Sequence, residues 1–413
     1  MLVRSGILAV VFEQNPRPYG KIEDGLPRWH TKLRRKEYDH INTRLSRDGV
    51  HFVPLTKVGR DIELASLVRE WGFSAVVLAH GAWRDRPLPI DGAEAFIGKG
   101  LVYQNAFIHW FNHFVERRYD GPDYAIPDGA IVVGGGLASI DVMKVLQIEL
   151  VRRALAARGI DEEMRRLEFD GIPSVLGGHG LSWERLGLEG ATLYYRRRIE
   201  DMPLTDIPAD VDDDKRRKLQ SVRRRILQKA MRKYCFAVQP LRLPVGLLTD
   251  GDRLVGLRFQ CTHVENAVPV PIEGELESVR APLVVSSIGS VPEPMPGITQ
   301  DGLLYDYVDA ELGRLEGYDT VFSTGNVVTG KGNILVSRKH SVGVTKHVIH
   351  DYLGMPNGAK DRVALVDAVH RRPALSPARL EGLLARVRGR QQAVGYDGDF
   401  ETWIEDVTPP DFE

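Results

Sequence analysis

Short runs of apolar residues alternate with charged stretches over most of the chain. The first run covers 8–12 and ends at Glu13, and the charged stretch 32–47 separates it from a second run at 50–54. Uninterrupted apolar runs of this kind are typical of strands buried in a parallel sheet. Further strands are predicted at 75–79, 130–133, 284–287 and 320–323. Strands that alternate with helices predict an α/β chain built from βαβ units.

Two amphipathic helices stand out in the second half. One is predicted after Ser376, a suitable N-cap, with Pro377 at the first helical position and one apolar face made of Leu380, Leu383, Leu384 and Val387. The other covers 215–233 and is rich in Lys and Arg, with Leu219, Val222, Ile226, Leu227 and Ala230 at helical spacing. We favour a solvated basic face for it. A docking face for an acidic electron carrier is the alternative.

The strongest local motif follows the strand at 130–133. Gly134, Gly135 and Gly136 lead directly into a helical pattern that begins with Leu137, Ala138 and Ser139. In such a Gly-x-Gly-x-x-Ser turn, Gly134 allows the tight turn and Gly136 lets the backbone approach a pyrophosphate. The small Ser139 permits close packing of helix on sheet, and the helix N-terminus favours phosphates. We therefore predict a dinucleotide site here, a plain turn being the alternative.

The next strand ends in a run of arginines. The predicted strand 191–195 is followed by Arg196, Arg197 and Arg198, at the position where an NAD site carries an acid. A guanidinium grips the 2′-phosphate of NADP through paired hydrogen bonds, so the motif indicates NADPH. A solvated basic strand end is the alternative. The unusually long gap before this strand predicts an insertion near 159–190.

The end of the first strand has the opposite charge. Glu13 suits a free ribose diol such as that of FAD, whereas Arg196 and Arg197 suit a phosphorylated ribose. This asymmetry favours two different dinucleotides in one chain. An ordinary strand-end carboxylate is the alternative for Glu13.

Composition narrows the possible functions. A chain of 413 residues exceeds one ordinary domain, so two domains are expected. The formal net charge of -1 provides no global attraction to nucleic acid or to an anionic membrane. No apolar run approaches the roughly 20 residues that span a bilayer, and the N-terminal run lacks a cleavage site. We expect a cytoplasmic protein.

The cysteines limit how the chain can carry electrons. Cys235 and Cys261 are its two cysteines and they lie far apart in sequence, so neither a C-x-x-C pair nor an iron–sulfur cluster with four thiolates can form. Electron transfer would require an organic cofactor and a separate acceptor. We predict no metal site, since no metal-ligand spacing or Ser-His-Asp arrangement stands out.

Several ordered segments resemble one family of flavoproteins. They are similar to segments of adrenodoxin or ferredoxin–NADP reductases, which are related to the small subunit of glutamate synthase. The resemblance covers roughly 3–353. Its segments are 12–27, 58–61, 75–82, 195–203, 284–289 and 324–334.

The resemblance implies two Rossmann-like domains of the glutathione-reductase type. An FAD domain of 1–105 and 290–413 would carry an inserted NADPH domain of 106–289. The family's motifs place FAD contacts on residues of the outer segments and of the strand ends. These are Glu13, Gly20, Gly25, Ala79, Gly81, Gly289, Gly325, Asn326, Gly332 and Ile334. NADPH contacts fall on Gly134, Gly136, Leu137, Ala138, Ser139, Arg196 and Arg197.

The chain departs from the family pattern in two places. The family begins with a strand, a Gly-x-Gly-x-x-Gly turn and a helix, and this chain starts inside that helix. We expect a misassigned start or a truncated gene, with the first βα unit missing and FAD deprived of its main pyrophosphate anchor. At Asn326, relatives often carry Asp or Trp; an amide still forms hydrogen bonds there.

The resemblance also implies a mechanism. NADPH would pass a hydride to FAD, and the flavin would pass electrons singly to a separate acceptor, possibly an acidic ferredoxin. His30 follows a loop that in similar proteins lies near the flavin ring, where it would tune the flavin or relay a proton, a surface histidine being the alternative. Two other functions stay open: a flavin-free NADP(H)-binding sensor or subunit, and a protein that interacts through its basic helix.

Overall fold

The chain folds as two compact units. The structure, a computed structural model, describes residues 2–117, 119–208, 210–330, 334–355, 375–410 and 412. The first unit comprises Met1–Glu23, Thr31–Arg84 and Ser290–Glu413, and the second comprises Asp24–His30 and Asp85–Gly289. Residues 85–105, assigned to the FAD domain from the sequence, thus lie in the second unit.

The strands are short and spread along the described chain. They are β1 (Ala9–Phe12), β2 (Val50–Val53), β3 (Val76–Leu78), β4 (Arg84–Asp85), β5 (Leu101–Tyr103), β6 (Ile131–Gly134), β7 (Thr192–Tyr195), β8 (Ala237–Pro240), β9 (Arg242–Asp250), β10 (Arg253–Glu265), β11 (Val268–Arg280), β12 (Val284–Ser287), β13 (Ser290–Val291), β14 (Gln300–Asp301), β15 (Leu304–Tyr305), β16 (Tyr307–Asp309), β17 (Arg314–Leu315) and β18 (Val321–Ser323). The strands predicted from the apolar runs are confirmed.

The helices connect and cover these strands. They are α1 (Lys21–Asp24), α2 (Thr31–Leu45), α3 (Leu64–Arg69), α4 (Gln104–His113), α5 (Leu137–Ala156), α6 (Met164–Asp170), α7 (Ile172–Gly178), α8 (Trp183–Leu186), α9 (Asp213–Tyr234), α10 (Asn326–Thr329), α11 (Ile334–His347), α12 (Pro377–Ala393) and α13 (Phe400–Val407). Short 3₁₀ turns lie at Val3–Ser5, Ala93–Phe96 and Ile199–Asp201, and a π turn at Val348–Tyr352. The predicted insertion at 159–190 contains α6, α7 and α8.

The second unit is built on a five-stranded parallel sheet with the order β5-β12-β6-β7-β8. Its register is marked by Val285, which pairs with Val102 on one side and Val132 on the other. Helix α5 packs on it through fully buried apolar residues that include Met143 and Leu146. An antiparallel sheet, β11-β10-β9, completes the unit. The parallel order brings the carboxyl ends of β6, β7 and β12 to one edge.

The first unit contains a parallel pair, β1-β2, and a sheet with the order β16-β17-β18-β3. Strands β18 and β3 are parallel, with Ser323 opposite Leu78. Phe52 of β2 packs edge-on against Tyr396 and Phe400, and Gln391 of α12 donates to the Phe52 carbonyl at 2.7 Å. Among the described residues, β1 and β3 each pair with another strand on one side only.

The two amphipathic helices are confirmed. The Ser376 hydroxyl accepts from the Arg379 backbone N–H at the start of α12, and Leu383 and Val387 are buried. Helix α9 buries Leu227 and keeps most of its Lys and Arg side chains exposed. Within the described part of the chain, no helix is both long and apolar enough to cross a membrane.

Candidate functional site

The glycine turn of the second unit lies between β6 and α5. Gly136 is the N-cap of α5, with extended backbone at φ −89° and ψ 177°. Gly136 has no side chain to cap the helix, so the first-turn N–H groups stay available to a ligand. Leu137 and Ala138 in that first turn are exposed. The geometry provides a helix N-terminus open to an anion.

The three glycines have different surroundings. A Cβ on Gly134 would lie 2.3 Å from the Ser139 Oγ and 2.4 Å from the Ser287 carbonyl oxygen, and one on Gly135 would lie 2.4 Å from the Tyr195 ring. A Cβ on Gly136 would meet nothing within 4 Å. The first two glycines are therefore needed for packing. The third faces open space.

Ser139 fixes the helix to the sheet. Its side chain is fully buried, and its hydroxyl lies 3.0 Å from both the carbonyl oxygen and the Oγ of Ser287 on β12. The Ser287 hydroxyl in turn donates to Oε1 of Gln104. Ser139 thus joins the start of α5 to β12 closely, as its small side chain allows, and its contact with a cofactor stays a prediction.

The arginines after β7 have separate tasks. Arg197 donates to the Tyr195 hydroxyl at 3.0 Å and to the Ala267 carbonyl at 3.2 Å, and its guanidinium lies over the Tyr195 ring. Arg198 pairs with Asp201 at 3.1 Å. The side chain of Arg196 is exposed and makes no hydrogen bond or ion pair with another described residue. Arg196 is thus the arginine of this run best placed to grip a ligand.

Strand pairing brings this arginine run to the glycine turn. Val133 of β6 lies opposite Tyr194 of β7 in parallel register, so both strands end at the same edge of the sheet. The contact between Gly135 and the Tyr195 ring confirms that these ends are adjacent. The glycine turn and Arg196 therefore lie at one edge of the sheet.

In the first unit, the predicted residues gather at strand ends. The Glu13 carboxylate follows β1 and accepts from the Asn15 N–H at 2.9 Å. Gly20 and Gly81 both have positive φ, and a Cβ on either would lie within 4 Å of the Trp83 indole. Ala79, which directly follows β3, is exposed.

Buried polar atoms mark the end of β18. The Thr324 N–H donates to the Leu78 carbonyl at 2.9 Å, which places Gly325 and Asn326 beside the end of β3. The Gly325 N–H donates to Nδ1 of His340. Among the described residues, the buried Thr324 Oγ1, Asn326 Oδ1 and His340 Nε2 have no hydrogen-bond partner. Such atoms are stabilised by a polar ligand.

The remaining predicted residues lie elsewhere. Gly25 and Gly289 are exposed and belong to the second unit. Ile334 begins α11 and is exposed, whereas Gly332 lies outside the described residues. The structure thus brings Gly20 with Gly81, and Ala79 with Gly325 and Asn326, and leaves Gly25 and Gly289 in a different unit from these.

A charged cluster beside His30 was not predicted from the sequence. Lys144 lies 3.3 Å from Asp141 and 3.6 Å from Glu168, and its ammonium lies 5.6 Å from the centre of the Trp29 ring. Desolvation raises the pKa of the Asp141 carboxyl, and the charges of Lys144 and His30 oppose that shift. Asp141 and Lys144 are three residues apart on α5, which is the signal that was available in the sequence.

A second group was missed as well. His109 and His113 of α4 converge on Asp24, with their ligating atoms all within 4.8 Å of one another. No metal site was predicted from the sequence. The His-x-x-x-His spacing on a helix was the signal that indicates one.

Comparison with known proteins connects these features to a family. NADPH:adrenodoxin oxidoreductase of Mus musculus is 24% identical over 403 residues, covering 87% of this chain and 76% of that protein. The chain is a homologue of the adrenodoxin reductases. The beta subunit of the NADPH-Fe(3+) oxidoreductase of Geobacter sulfurreducens is 29% identical over 236 residues, covering 51% of this chain and 33% of that protein. No protein-family model matches the chain.

A solved structure agrees with this homology at the level of the fold. The structure of FprA from Mycobacterium tuberculosis in complex with NADPH superposes with a TM-score of 0.65 at 19% identity, covering 94% of this chain and 84% of that one. The adrenodoxin-reductase resemblance and the two-domain α/β nucleotide-binding fold predicted from the sequence are confirmed. So is the oxidoreductase class.

Proposed function

We propose that the chain is an FAD-dependent NADPH oxidoreductase that supplies electrons to a separate acceptor protein. The observation that carries this proposal is the sheet edge at which Gly136 faces open space while the exposed Arg196 follows the neighbouring strand. A dinucleotide with a 2′-phosphate needs both groups at one edge. The homologues named as NADPH oxidoreductases support the same cofactor.

NADPH would bind to the second unit through backbone N–H groups of α5 and an arginine side chain. The first-turn N–H groups of α5, at Leu137 and Ala138, would receive the pyrophosphate at the positive end of the helix dipole. Arg196 would form charge-assisted hydrogen bonds with the 2′-phosphate. Arg197 would support it indirectly by holding Tyr195 and the Ala267 backbone in place.

FAD would bind to the first unit. The Glu13 carboxylate, which follows a parallel strand, is suited to accept from a ribose diol. The buried Thr324, Asn326 and His340 polar atoms would gain partners from a polar ring system. The amide of Asn326 thus fits the position where relatives often carry Asp or Trp.

Each cofactor would supply the chemistry that side chains lack. Bound FAD would supply a hydride acceptor for NADPH and a donor of single electrons, while the chain's own residues would bind and orient both molecules. Burial raises the pKa of the Cys235 thiol to about 11, so this side chain stays protonated at neutral pH. It is therefore poorly suited to thiol redox chemistry, which needs the thiolate. No side chain is required to transfer a proton in the hydride step.

The acceptor is proposed to be a small acidic iron–sulfur protein. The chain's two cysteines are both free, so a cluster must be held elsewhere. Helix α9 exposes a row of cationic side chains that complements a carboxylate-rich surface. The row comprises Lys215, Arg217, Lys218, Arg225, Lys229 and Arg232.

The 2′-phosphate assignment is tested by comparing two neighbouring arginines. Arg196→Ala should weaken NADPH binding about tenfold to a hundredfold, because a hydrogen bond to a charged group contributes roughly 1.5–3 kcal/mol. NADH binding should stay almost unchanged. Nicotinamide fluorescence of protein freed of flavin measures both dissociation constants, because no hydride acceptor is then present.

Arg198→Ala is the matched control, since Arg198 already pairs with Asp201. It should alter NADPH binding little. Equal losses for NADPH and NADH in Arg196→Ala would contradict the assignment, and so would equal effects of the two substitutions.

A further inference from the structure

Helix α4 carries two histidines on one face, and a carboxylate lies against them. His109 and His113 are four residues apart, which places their rings together, with centroids 4.6 Å apart. Nε2 of His113 lies 3.0 Å from the Asp24 Oδ1, and Nε2 of His109 lies 3.9 Å from the same oxygen. All of these residues belong to the second unit.

The three ligating atoms converge on a volume the size of an ion. They all lie within 4.8 Å of one another. Atoms bound at about 2.1 Å to one tetrahedral metal are roughly 3.4 Å apart. The His109 ring, whose Nε2 lies 3.9 Å from the Asp24 Oδ1, would therefore have to move closer to the other two ligands. The His109 side chain is 50% exposed, which leaves it free to rotate and leaves a path for an ion to enter.

The other two ligands are held in place by further contacts. Nδ1 of His113 lies 2.7 Å from the Glu116 carboxylate, an arrangement that orients the ring so that Nε2 points at Asp24. The side chain of Asn112 accepts from the Arg28 N–H at 2.9 Å and donates to the Leu26 carbonyl at 3.1 Å. These bonds attach the segment that contains Asp24 to α4, and they do not involve the histidines.

We propose that Asp24, His109 and His113 bind a divalent transition-metal ion. Two imidazole nitrogens and one carboxylate oxygen form a donor set that suits zinc, cobalt or iron(II) rather than magnesium or calcium, which prefer oxygen ligands. Glu116 serves as the outer carboxylate that a metal-bound histidine commonly has. Three protein ligands leave at least one position for water.

The ion would act as a clasp for the segment Asp24–His30. That segment belongs to the second unit although the chain on either side of it belongs to the first. Asn112 of α4 is hydrogen-bonded to the middle of this segment. The ion would attach the start of the segment, Asp24, to the next residue of α4, His113. The role is structural and does not depend on flavin or NADPH.

Cobalt binding provides the test. Tag-free protein treated with a chelator should bind one equivalent of Co²⁺ with visible absorption bands typical of nitrogen and oxygen ligands. His109→Gln and Asp24→Asn should each weaken this binding at least about tenfold, because loss even of an outer-shell partner weakens metal affinity 10–100-fold. Zn²⁺ should raise the thermal midpoint of the wild type more than that of His109→Gln.

The matched control is His263→Ala, since His263 pairs with Glu265 at 2.7 Å and belongs to no described three-residue metal group. It should bind Co²⁺ as the wild type does. Absence of saturable one-equivalent binding in the wild type would overturn the proposal, and His113 would then simply bridge two carboxylates as a cation. Equal Co²⁺ affinity of the wild type and His109→Gln would overturn it as well. Because His109→Gln changes a half-exposed side chain, this variant should fold even if Asp24→Asn does not.

Discussion

Individual residues in the turn after β6 have different physical reasons to be there. Gly134 and Gly135 are required by atoms that would lie within 2.4 Å of a Cβ, whereas Gly136 has free space around it. Conservative substitutions at the two ends of the turn therefore separate packing from ligand binding.

The turn between β6 and α5 could be predicted from the sequence, because a strand that leads into Gly-x-Gly and a helix is typical of dinucleotide sites. Which arginine is exposed could not be predicted, since that depends on the positions of Tyr195, Asp201 and Ala267.

Gly136→Ala should leave folding nearly intact and impair NADPH binding. Its backbone, at φ −89°, suits any residue, and loss of Gly at an N-cap changes stability by less than about 1 kcal/mol. The new methyl group would occupy the space proposed for the pyrophosphate. Calorimetric titration of flavin-free protein with NADPH should show a dissociation constant at least about tenfold higher, with little change in the thermal midpoint.

Gly134→Ala is the contrasting variant. Its Cβ would overlap the Ser139 hydroxyl and the Ser287 carbonyl, so it should lower the free energy of unfolding by about 1–3 kcal/mol. Normal NADPH affinity in Gly136→Ala would show that the open space is not the phosphate site.

At the scale of elements, the second unit depends on how α5 is fixed to the strands beneath it. Gln147 is fully buried; its amide N–H donates to the Cys235 carbonyl at 2.5 Å and its Oε1 accepts from the Ala191 N–H at 2.9 Å. These bonds satisfy the backbone just before β7 and just after α9. The helix that presents Leu137 and Ala138 is thereby tied to the strand that precedes Arg196.

Gln147→Leu should destabilise the chain by about 2–3 kcal/mol, because a side chain of similar size leaves a buried N–H and a buried carbonyl without partners. Urea unfolding followed by tryptophan fluorescence should show a lower midpoint. Gln228→Leu on the exposed side of α9 is the control and should change stability by less than about 0.5 kcal/mol. Equal midpoints for the two variants would contradict this role of Gln147.

Elements with clear apolar runs were predictable and others were not. Most strands of the parallel sheets were found because their burial leaves mainly apolar residues in them, but β5 and β8 of the five-stranded sheet were not predicted. The antiparallel strands β9, β10 and β11 were missed; β11 is mostly exposed and carries prolines, and the pairing of β10 with β11 shifts register between Gln260 and Thr262. The insertion was predicted from spacing alone, without α6, α7 and α8, since short helices leave a weak periodic signal.

For the whole molecule, the chain alternates between two units in a way that local patterns do not reveal. Residues 24–30 join the second unit because Asn112 bonds to the backbone of Leu26 and Arg28, some 85 positions away in sequence. The family resemblance predicted two nucleotide-binding domains, and the fold is confirmed by the likeness to FprA. Which residues contact FAD stays a prediction that rests on strand ends and buried polar atoms.

The central claim is that one chain binds both FAD and NADPH and transfers electrons from NADPH to FAD. The most direct test is the visible absorption spectrum of the protein after incubation with excess FAD and removal of the unbound flavin. We expect a retained flavin band that bleaches anaerobically on addition of NADPH, and far more slowly with NADH. Absence of retained flavin beside measurable NADPH binding would contradict it and would favour a flavin-free NADP(H)-binding protein.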